Sequence, residues 1–291
     1  NYQLYLLLLP GLLWYLAFAY RPMTGLRIAF YDYNIFKGIA GSKFVGFKNF
    51  IDFLTGRDFI RVFKNTIMIS FWQIVVCFPV PILLAVAVTE MKNKIVSKFT
   101  QMATLLPSFV SVVVVCGMVK ELLAAEGPVN KLIHMFGADK IAFMSEPGWF
   151  DFVYIASGVW QALGWGTILY LAAMTGINTE LYEAASMDGA GRFQQVIHVT
   201  IPGIMPTIMT LLIMDIGGIV TSSNMQKILL LYNPLNQQRA DIIGTLVYRM
   251  GITGGNFSYA AAVGLFEGVI GLILVTSANF LSKKFTETSL W

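Results

Sequence analysis

The segment NTELYEAASMDGAGRFQQVIHVTIPGIMP, residues 178–206, is a long stretch of mixed polarity between two strongly apolar runs. Asn178 or Thr179 can cap a helix here, because either side chain can accept hydrogen bonds from the free amides of a first helical turn. Gly189 follows Asp188 and can adopt backbone angles that other residues resist, so the pair is expected to end this helix. The first half of the segment therefore predicts a short helix that stops at a glycine bend.

A second short helix is predicted after the bend, from Ala190 to about His198. Pro202 and Pro206 are expected to stop any continuous helix, because proline lacks the amide donor and its ring clashes with the preceding turn. The segment thus predicts two short helices at an angle with small residues between them. That shape can dock into a groove on another protein.

The spacing within this segment resembles the EAA loop of permease subunits of ATP-binding-cassette (ABC) importers. In that family Glu-Ala-Ala is followed by three residues, Gly, nine residues, and then an apolar residue, any residue, an apolar residue and Pro. The matching residues here are Glu183, Ala184, Ala185, Gly189, Val199, Ile201 and Pro202, and the longer carbohydrate-importer form adds Asp188 and Ala190. The resemblance implies that residues 178–203 form a cytoplasmic loop that couples to an ATPase. The implied coupling residues are Glu183, Ala184, Ala185, Asp188, Gly189, Ala190, Ile201 and Pro202.

The composition places most of the chain in lipid. Of the 291 residues, 56% are hydrophobic and 12% are charged, whereas soluble domains average about 25% charged residues. Such a chain cannot bury all its apolar surface in one soluble core. Cys77 and Cys116 both lie within apolar runs, so no structural disulfide framework is indicated.

Six apolar runs are long enough to indicate membrane-spanning helices, since about 20 apolar residues cross the hydrocarbon core. The predicted spans are residues 4–20, 66–88, 100–119, 152–174, 204–220 and 259–281. Short helices are predicted near 47–54 and 128–136, a charged turn over 90–98, and solvated loops over the rest of 31–60 and over 221–256. The predicted fold is therefore an all-α polytopic membrane protein, with residues 1–291 forming one permease domain.

Two arguments about orientation disagree. Six spans with the EAA-like loop in the cytoplasm put both termini in the cytoplasm. The inside would then hold six of the 20 basic residues (Lys92, Lys94, Lys98, Arg192, Lys283 and Lys284), against the usual cytoplasmic excess of Lys and Arg. We follow the loop, because coupling to ATP is useful only where ATP is. Since the sequence begins at Asn1, we also expect a cytoplasmic segment before it.

Motifs that carry chemistry are missing from the sequence. No P-loop is present, which would need Gly, four residues and Gly-Lys-Ser/Thr, so ATP and magnesium are expected on a separate ATPase subunit, as the resemblance implies. His134 and His198 are far apart without a neighbouring ligand set, so we expect no metal site. The Gly-x-Ser-x-Gly nucleophile motif is missing too, and we expect no catalytic residue and no cofactor on this chain.

Two acidic residues lie within predicted spans, Asp215 in the fifth and Glu267 in the sixth. An ionisable side chain in the hydrocarbon is costly and is by default a candidate for function. The alternative is a carboxyl group that is hydrogen-bonded to a neighbouring helix. Glu267 lies beside Ala260, Gly264 and Gly268, whose spacing lets helices approach closely, so packing is the stronger interpretation of that face.

The fourth predicted span carries candidate residues for a sugar path. Gly158, Ala162 and Trp165 fall on one face, with Gln161 beside them. Small residues leave room, an aromatic ring can stack on a sugar, and an amide can bond hydroxyl groups; a packed face with an interfacial tryptophan is the alternative. In maltose-type importers, which this chain resembles, the sugar site is built mainly from helices that flank the EAA loop. The resemblance therefore implies a substrate path that contains these four residues and Asp215.

The resemblance covers nearly the whole chain. Residues 44–50 and 64–66 resemble carbohydrate permeases, and residues 231–235, 248–249 and 259–266 resemble the branch that imports oligosaccharides from complex polysaccharides. It implies an importer in the bacterial inner membrane, embedded in lipid and without nucleic acid. In it, this chain pairs with a second permease subunit, two ATPase subunits and an extracytoplasmic solute-binding protein.

The excess of basic residues on the predicted outer side favours an acidic ligand or an acidic surface on the binding protein. Together with the resemblance to the polysaccharide branch, it predicts oligosaccharides that contain uronic acids. An ionised Asp215 on the path would repel such a cargo, so Asp215 is protonated, or it bonds sugar hydroxyls away from the acid group, or the cargo is neutral. The alternative from another class is a proton-coupled secondary transporter that uses Asp215 and Glu267 as a relay. Such folds often contain inverted repeats with broken helices, and the sequence shows neither.

Overall fold

The computed structural model describes residues 2–219 and 225–286, and these fold mainly into helices, which confirms the all-α prediction. The helices run over Tyr2–Phe30 (α1), Lys48–Leu54 (α2), Phe59–Thr89 (α3), Lys94–Phe109 (α4), Val112–Leu122 (α5), Pro128–Met135 (α6), Pro147–Thr175 (α7), Thr179–Met187 (α8), Arg192–Gly218 (α9), Met225–Leu231 (α10), Gln237–Ala240 (α11), Ile243–Val247 (α12) and Phe257–Thr286 (α13). Within this part of the chain, α1, α3, α7, α9 and α13 are long and apolar enough to cross a membrane. The bent pair of α4 and α5 makes a sixth crossing if it acts as one span.

The spanning helices extend beyond the apolar runs that predict them. The fourth span is predicted over 152–174, whereas α7 has 29 residues and begins at Pro147. Polar and aromatic residues continue the helix past the hydrocarbon core, where hydropathy no longer marks it. Residue 220, at the end of the predicted fifth span, lies outside the described residues.

The first of two compact units contains residues 1–63 and 242–269. Its core draws on α2, α3, α12 and α13, and the buried side chains are Phe53, Val62, Ile243, Leu246 and Val263. The ring of Phe53 meets those of Phe59 and Phe266 edge-on, with centroids 5.1 and 5.3 Å apart. This geometry suits the ring quadrupoles and adds to the stabilisation that comes from area burial.

A β-hairpin occupies residues 31–44, where the sequence predicts a solvated loop. The short helix predicted near 47–54 follows it as α2. Strand β1, Tyr31–Asn34, pairs antiparallel with strand β2, Gly38–Phe44. The side-chain amide of Asn49 in α2 donates to the carbonyls of Ala29 and Tyr31 at 2.8 and 3.1 Å, which ties the hairpin to that helix. Strand β1 alternates Tyr with a polar residue over four positions only, and β2 shows no period of two, so the alternation that marks a half-buried strand is too short to predict the hairpin.

The second unit contains residues 64–241 and 270–291, and α7 is its main packing partner. Its core joins α3, α7 and α9, and the buried side chains are Ala85, Tyr170, Met174, Ile204 and Ile208. At Gly164 the backbone of α7 lies against α4: a Cβ atom there would stand 2.3 Å from the carbonyl oxygen of Thr104 and 2.4 Å from the Cα of Leu105. Only glycine permits this crossing.

The third predicted span, residues 100–119, is not one straight helix. Helices α4 and α5 are bent by 101° at the break between them. Pro107 lies in the last turn of α4, and Ser111 restarts the helix by accepting a hydrogen bond from the Val114 amide at 3.3 Å. The composition of 100–119 is apolar on both sides of the break, so hydropathy alone could not reveal it.

The charged turn predicted over 90–98 is shorter than expected. The side chain of Asn93 accepts a hydrogen bond from the Ile95 amide at 2.9 Å and caps α4, which begins at Lys94. The cap satisfies amides that the first helical turn leaves without partners. Lys94 and Lys98 of the predicted turn therefore lie on α4.

The prediction that Pro202 and Pro206 stop the helix is wrong, because α9 runs through both. A π-helical turn, Val196–Thr200, precedes Pro202, and the amide of Ile201 bonds to the carbonyl of Val196. The wider turn changes the hydrogen-bond register at the place where a proline would otherwise leave a carbonyl without its donor. The second half of the EAA-like loop and the fifth span are thus one helix.

The prediction of a loop over 221–256 is also wrong for the residues that the structure describes. Helices α10, α11 and α12 and a π-helical turn, Tyr248–Thr253, occupy most of it. The Asn65 side-chain amide donates to the carbonyls of Gln238 and Asp241 at 2.8 and 2.9 Å. Buried amide contacts of this kind hold short helices that carry no strong apolar periodicity.

Candidate functional site

Helix α8 forms the first half of the EAA-like loop and begins as predicted. The Asn178 side chain accepts a hydrogen bond from the Glu180 amide at 3.1 Å and donates one to the Glu180 carboxylate at 3.1 Å. The negative charge of Glu180 in the first turn also suits the positive end of the helix dipole. The predicted cap is confirmed.

The bend after α8 is a glycine-dependent C-cap. Gly189 has φ +80°, and its amide donates to the Ser186 carbonyl at 3.1 Å. The amide of Ala190 donates to the Ala185 carbonyl at 2.9 Å. These two bonds together define a Schellman motif, in which the residue with positive φ is usually glycine. The structure confirms the predicted bend and gives its hydrogen bonds.

Side-chain contacts lock α8 to the start of α9. The hydroxyl groups of Tyr182 and Thr200 are 3.0 Å apart. The Gln195 side chain donates to the Ser186 hydroxyl at 2.9 Å and to the Ala190 carbonyl at 3.1 Å. The two halves of the loop therefore form one body, whose residues belong to the same compact unit as α7.

The outer surface of this loop is exposed and partly apolar. Met187 is 89% exposed and Phe193 76%, and Glu183, one helical turn before Met187, is exposed too. A hollow of about 320 Å³ is lined by Ala185, Asp188, Gly189, Ala190, Gln194, His198 and Val199. Large apolar side chains that stand open beside charged ones are typical of a protein-binding surface.

The predicted coupling residues do not all lie at this hollow. Ala185, Asp188, Gly189 and Ala190 line it. Ile201 and Pro202 belong instead to α9 beyond the π-helical turn, while Glu183 and Ala184 are exposed on α8.

One ion pair connects the loop to the turn after α3. A guanidinium nitrogen of Arg192 lies 3.6 Å from a carboxylate oxygen of Glu90, and both side chains are partly exposed. An exposed ion pair of this kind typically contributes about 0.2–1 kcal/mol to the stability of a protein. It orients the start of α9 more than it strengthens the fold.

Two cavities lie within the second unit, the larger between α3, α7 and α9 and the smaller between α3, α5, α7 and α10. The larger has a volume of about 350 Å³, and its walls are Gln73, Ile74, Cys77, Phe78, Pro81, Ala162, Trp165, Gly166, Leu169, Tyr170, Leu211, Met214, Asp215 and Gly218. The smaller has a volume of about 220 Å³, and its walls are Gln73, Cys77, Val112, Tyr154, Ile155, Gly158, Gln161, Ala162, Gln226 and Lys227. The cavities share Gln73, Cys77 and Ala162, so they are adjacent.

The five residues predicted for the substrate path all line these cavities. Ala162, Trp165 and Asp215 are at the larger one, and Gly158, Gln161 and Ala162 are at the smaller one. Trp165 is 60% exposed, so its ring offers a face to whatever enters. The substrate-path interpretation of this face of α7 stays a prediction, and so does the alternative of a packed face with an interfacial tryptophan.

Gln161 has a structural contact as well as a place on the cavity wall. Its side-chain amide donates to the Val110 carbonyl at 3.0 Å. Val110 lies in the break between α4 and α5, where the helical ladder leaves carbonyls to be satisfied from elsewhere. The amide therefore supports the break while its other atoms border the smaller cavity.

Lys227 is a cavity residue that the sequence analysis missed. Its ammonium group donates to the Tyr154 carbonyl at 2.8 Å and lies 4.7 Å from the centroid of the Tyr154 ring. A Cβ atom on Gly158 would come within 3.2 Å of the Lys227 nitrogen, so the glycine makes room for the lysine. The sequence predicts an external loop over 221–256, because no strong apolar periodicity marks α10, and a lysine in such a loop is not a candidate for a cavity wall.

Glu267 lies in the first unit and is only 6% exposed, with a neighbour as its partner. On the small-residue face beside it, Ala260 packs closely against Gly251, where a Cβ atom would lie 2.7 Å from the Ala260 Cβ. Cβ atoms on Gly264 and Gly268 would meet open space. Close packing within this chain therefore explains the small side chain at Ala260, but it does not explain the glycines at 264 and 268.

Comparison with known proteins places this geometry in a family. The family model described as binding-protein-dependent transport system inner membrane component matches residues 77–287. Protein LplB of Bacillus subtilis (strain 168) is 42% identical over 289 residues, which cover 99% of this chain and 91% of LplB. The polygalacturonan/rhamnogalacturonan transport system permease protein YteP of the same organism is 44% identical over 289 residues, 99% of this chain and 90% of YteP.

A solved structure agrees with these relatives. The chain superposes with a TM-score of 0.92 on a chain of the crystal structure of a bacterial alginate ABC transporter in complex with alginate pentasaccharide-bound periplasmic protein. The two are 38% identical, and the match covers 99% of this chain and 96% of the other. At this identity the likeness extends beyond the fold.

Proposed function

This chain belongs to the family of binding-protein-dependent transport system inner membrane components, as a permease subunit of a sugar-importing ABC transporter, and we propose that its cargo is an acidic oligosaccharide. In the proposed complex it forms the translocation path with a second permease subunit. Two separate ATPase subunits bind ATP and magnesium, and an extracytoplasmic solute-binding protein delivers the cargo. The membrane is the bacterial inner membrane, with both termini in the cytoplasm.

The exposed EAA-like loop is the observation that carries the coupling part of the proposal. A capped helix, a glycine bend and a locked second helix present open apolar side chains beside charged ones. We propose that this body sits in a groove of an ATPase and moves with it. Because α8 follows α7 and the loop continues into α9, its movement is transmitted to two helices that line the cavities.

The two adjacent cavities support the assignment of the sugar path. Trp165 offers an aromatic face, Gln73, Gln161 and Gln226 offer amide groups, and Asp215 offers a carboxylate. Sugars present hydroxyl groups for hydrogen bonds and C–H faces for stacking, so this set of side chains suits them. The chemistry involves binding and release only, and no residue has a catalytic role.

The acidic nature of the cargo is supported by the relatives. YteP is named for polygalacturonan and rhamnogalacturonan transport, and the similar structure is an alginate transporter. The excess of basic residues in the sequence points the same way. Family membership favours this ATP-driven importer over the proton-coupled alternative that would use Asp215 and Glu267.

The test is transport by the whole complex, co-expressed with its partner subunits and reconstituted in proteoliposomes with its binding protein. We expect uptake to need ATP and the binding protein, and oligogalacturonides to be imported in preference to neutral galacto-oligosaccharides of equal length. Import of neutral sugars alone would contradict the acidic cargo. Uptake driven by a proton gradient without ATP would contradict the importer.

Asp215→Asn tests the cavity in the same assay. Asparagine keeps one acceptor oxygen but replaces the other with an NH2 donor and removes the charge, so one of the hydrogen bonds we propose from sugar hydroxyls is lost. We expect uptake to fall about three- to tenfold, the value of one ordinary hydrogen bond. Glu121→Gln is the matched control, because Glu121 is exposed and lies outside both cavities. Wild-type uptake of every cargo by Asp215→Asn would assign Asp215 a structural role.

A further inference from the structure

We infer that Lys227 binds the carboxylate of a uronic acid unit as the oligosaccharide passes through the smaller cavity. The inference rests on the proposed function and names the residue that distinguishes acidic from neutral cargo. It also assigns opposite roles to the two ionisable side chains of the path, Lys227 and Asp215.

The position of Lys227 is that of a buried cation held at a cavity wall. The side chain belongs to a residue that is 9% exposed, and its nitrogen donates to the Tyr154 carbonyl at 2.8 Å. The Tyr154 ring, 4.7 Å away, adds a cation–π contact. In the part of the chain that the structure describes, no carboxylate forms an ion pair with Lys227.

These contacts leave the charge incompletely compensated. An ammonium group has three N–H donors, and the described contacts with Tyr154 use one of them. Burying a cation is costly unless an opposite charge and further hydrogen bonds accompany it. A carboxylate that enters the cavity supplies both, so the bound cargo would provide what the chain itself does not.

Gly158 lets the ammonium group lie against α7. A Cβ atom at this position would lie 3.2 Å from the Lys227 nitrogen, which is closer than most such contacts. Gly158 and Lys227 both line the smaller cavity, so the small residue predicted for the sugar path lets the cation stand at the cavity wall.

The arrangement of charge along the two cavities suits a uronate. Lys227 is the basic residue among the described wall residues of both cavities, and Asp215 is the acidic one. Each lies at a different cavity, and the two cavities meet at Gln73, Cys77 and Ala162. The carboxylate of the cargo would be attracted to the Lys227 side and repelled from the Asp215 side. Sugar hydroxyls can then donate to Asp215, which removes the conflict between an acidic cargo and an acidic wall.

The test compares an oligogalacturonide with its methyl ester, which has the same sugar chain without the charge. Uptake of both is measured in proteoliposomes that contain the full transporter and its binding protein, for wild type and for Lys227→Gln. The preference of the binding protein is the same in both preparations, so it cancels when the acid-to-ester uptake ratio of the variant is divided by that of wild type. We expect this ratio to fall by at least about tenfold in Lys227→Gln, as for loss of a hydrogen bond to a charged group.

Two further variants complete the experiment. Lys131→Gln removes an exposed lysine on α6 and should keep the wild-type ratio. Gly158→Ala serves if Lys227→Gln fails to assemble, because the added methyl group displaces the ammonium group, and the ratio should again fall. An unchanged ratio in the variants that assemble overturns the role of Lys227 while leaving the proposed function intact. Failure of wild type to import any acidic cargo would instead overturn the proposed function.

Discussion

Gly189 shows how one residue sets the shape of the EAA-like loop, the surface that we propose couples to the ATPase. Its φ of +80° lies in the left-handed region, and a Cβ atom there would meet no atom within 4 Å. Steric crowding with neighbours therefore does not explain the glycine. The positive φ explains it, because left-handed helical angles cost a residue with a Cβ atom about 1–2 kcal/mol.

We predict a graded series at this position. Gly189→Val should lower uptake most, Gly189→Ala less, and Gly189→Asn least, because asparagine tolerates the left-handed region better than alanine or a β-branched residue. The amount of assembled complex in the membrane should stay at the wild-type level. Uptake and binding-protein-stimulated ATPase activity measure the effect.

Gly191→Ala is the control for this series. Gly191 has φ −69°, which suits any residue, and the nearest atom to an added Cβ lies 3.9 Å away. Normal uptake by Gly189→Val would show that the bend does not matter for coupling.

At the scale of elements, α7 organises the second unit. It contacts α3, α4, α5, α9, α10 and α11, and its wall residues face both cavities. The crossing with α4 at Gly164 is the closest of these contacts, since an added Cβ would stand 2.3 Å from a backbone oxygen. Backbone atoms cannot yield as the end of a flexible side chain can, so the two helices would have to move apart.

Gly164→Ala is therefore expected to destabilise the subunit by about 1–3 kcal/mol, the usual cost of overpacking. Thermal unfolding of the purified complex, followed by size-exclusion chromatography with fluorescence detection, should show a lower transition temperature. Gly148→Ala in the same helix is the control, because a Cβ atom there meets nothing within 4 Å. Equal transition temperatures for the two variants would contradict the close crossing.

At the scale of the whole molecule, the EAA-like loop is joined to the cavities by α9 on one side and, through the short turn at residues 176–178, by α7 on the other. Helix α7 leads from the cavity walls through Gly176 and Ile177 to α8, and α9 leads from the loop to Asp215. Gly203 in α9 lies close to the Ile177 side chain, with 2.8 Å from an added Cβ to its terminal carbon. A force on the loop thus reaches the cavity without passing through a flexible linker.

Glu183→Lys tests the docking of the whole subunit on its ATPase. Glu183 is exposed on α8, and we propose that a basic residue of the ATPase faces it. Reversing the charge places like charges together, which costs several kcal/mol at an interface, so the affinity for the ATPase should fall by at least about tenfold. Dissociation of the ATPase during size-exclusion chromatography gives the readout.

The matched control is Glu121→Lys, which reverses an exposed glutamate outside the loop. It should leave the complex intact. A stable and active complex with Glu183→Lys would mean that Glu183 is only a solvated helix residue.

Local sequence determined much of this protein. The apolar runs identify the spanning segments, because lipid selects long apolar helices regardless of their neighbours. The EAA-like spacing identifies the loop, and the cap at Asn178 and the bend at Gly189 depend only on residues within a few positions of each other. The five predicted path residues could be named from α7 and α9 because both helices flank that loop.

Tertiary structure decided what depends on residues far apart in sequence. Lys227 becomes a cavity residue only because α10 packs on α7 beside Gly158, and the Val110 carbonyl in the bend between α4 and α5 finds its donor in Gln161 of α7. For these contacts the free energy comes from segments that are far apart in sequence, whereas hydropathy and spacing report only on contacts within one segment. The passage of α9 through Pro202 has another cause, since it depends on the hydrogen-bond register of a π-helical turn, which composition does not reveal.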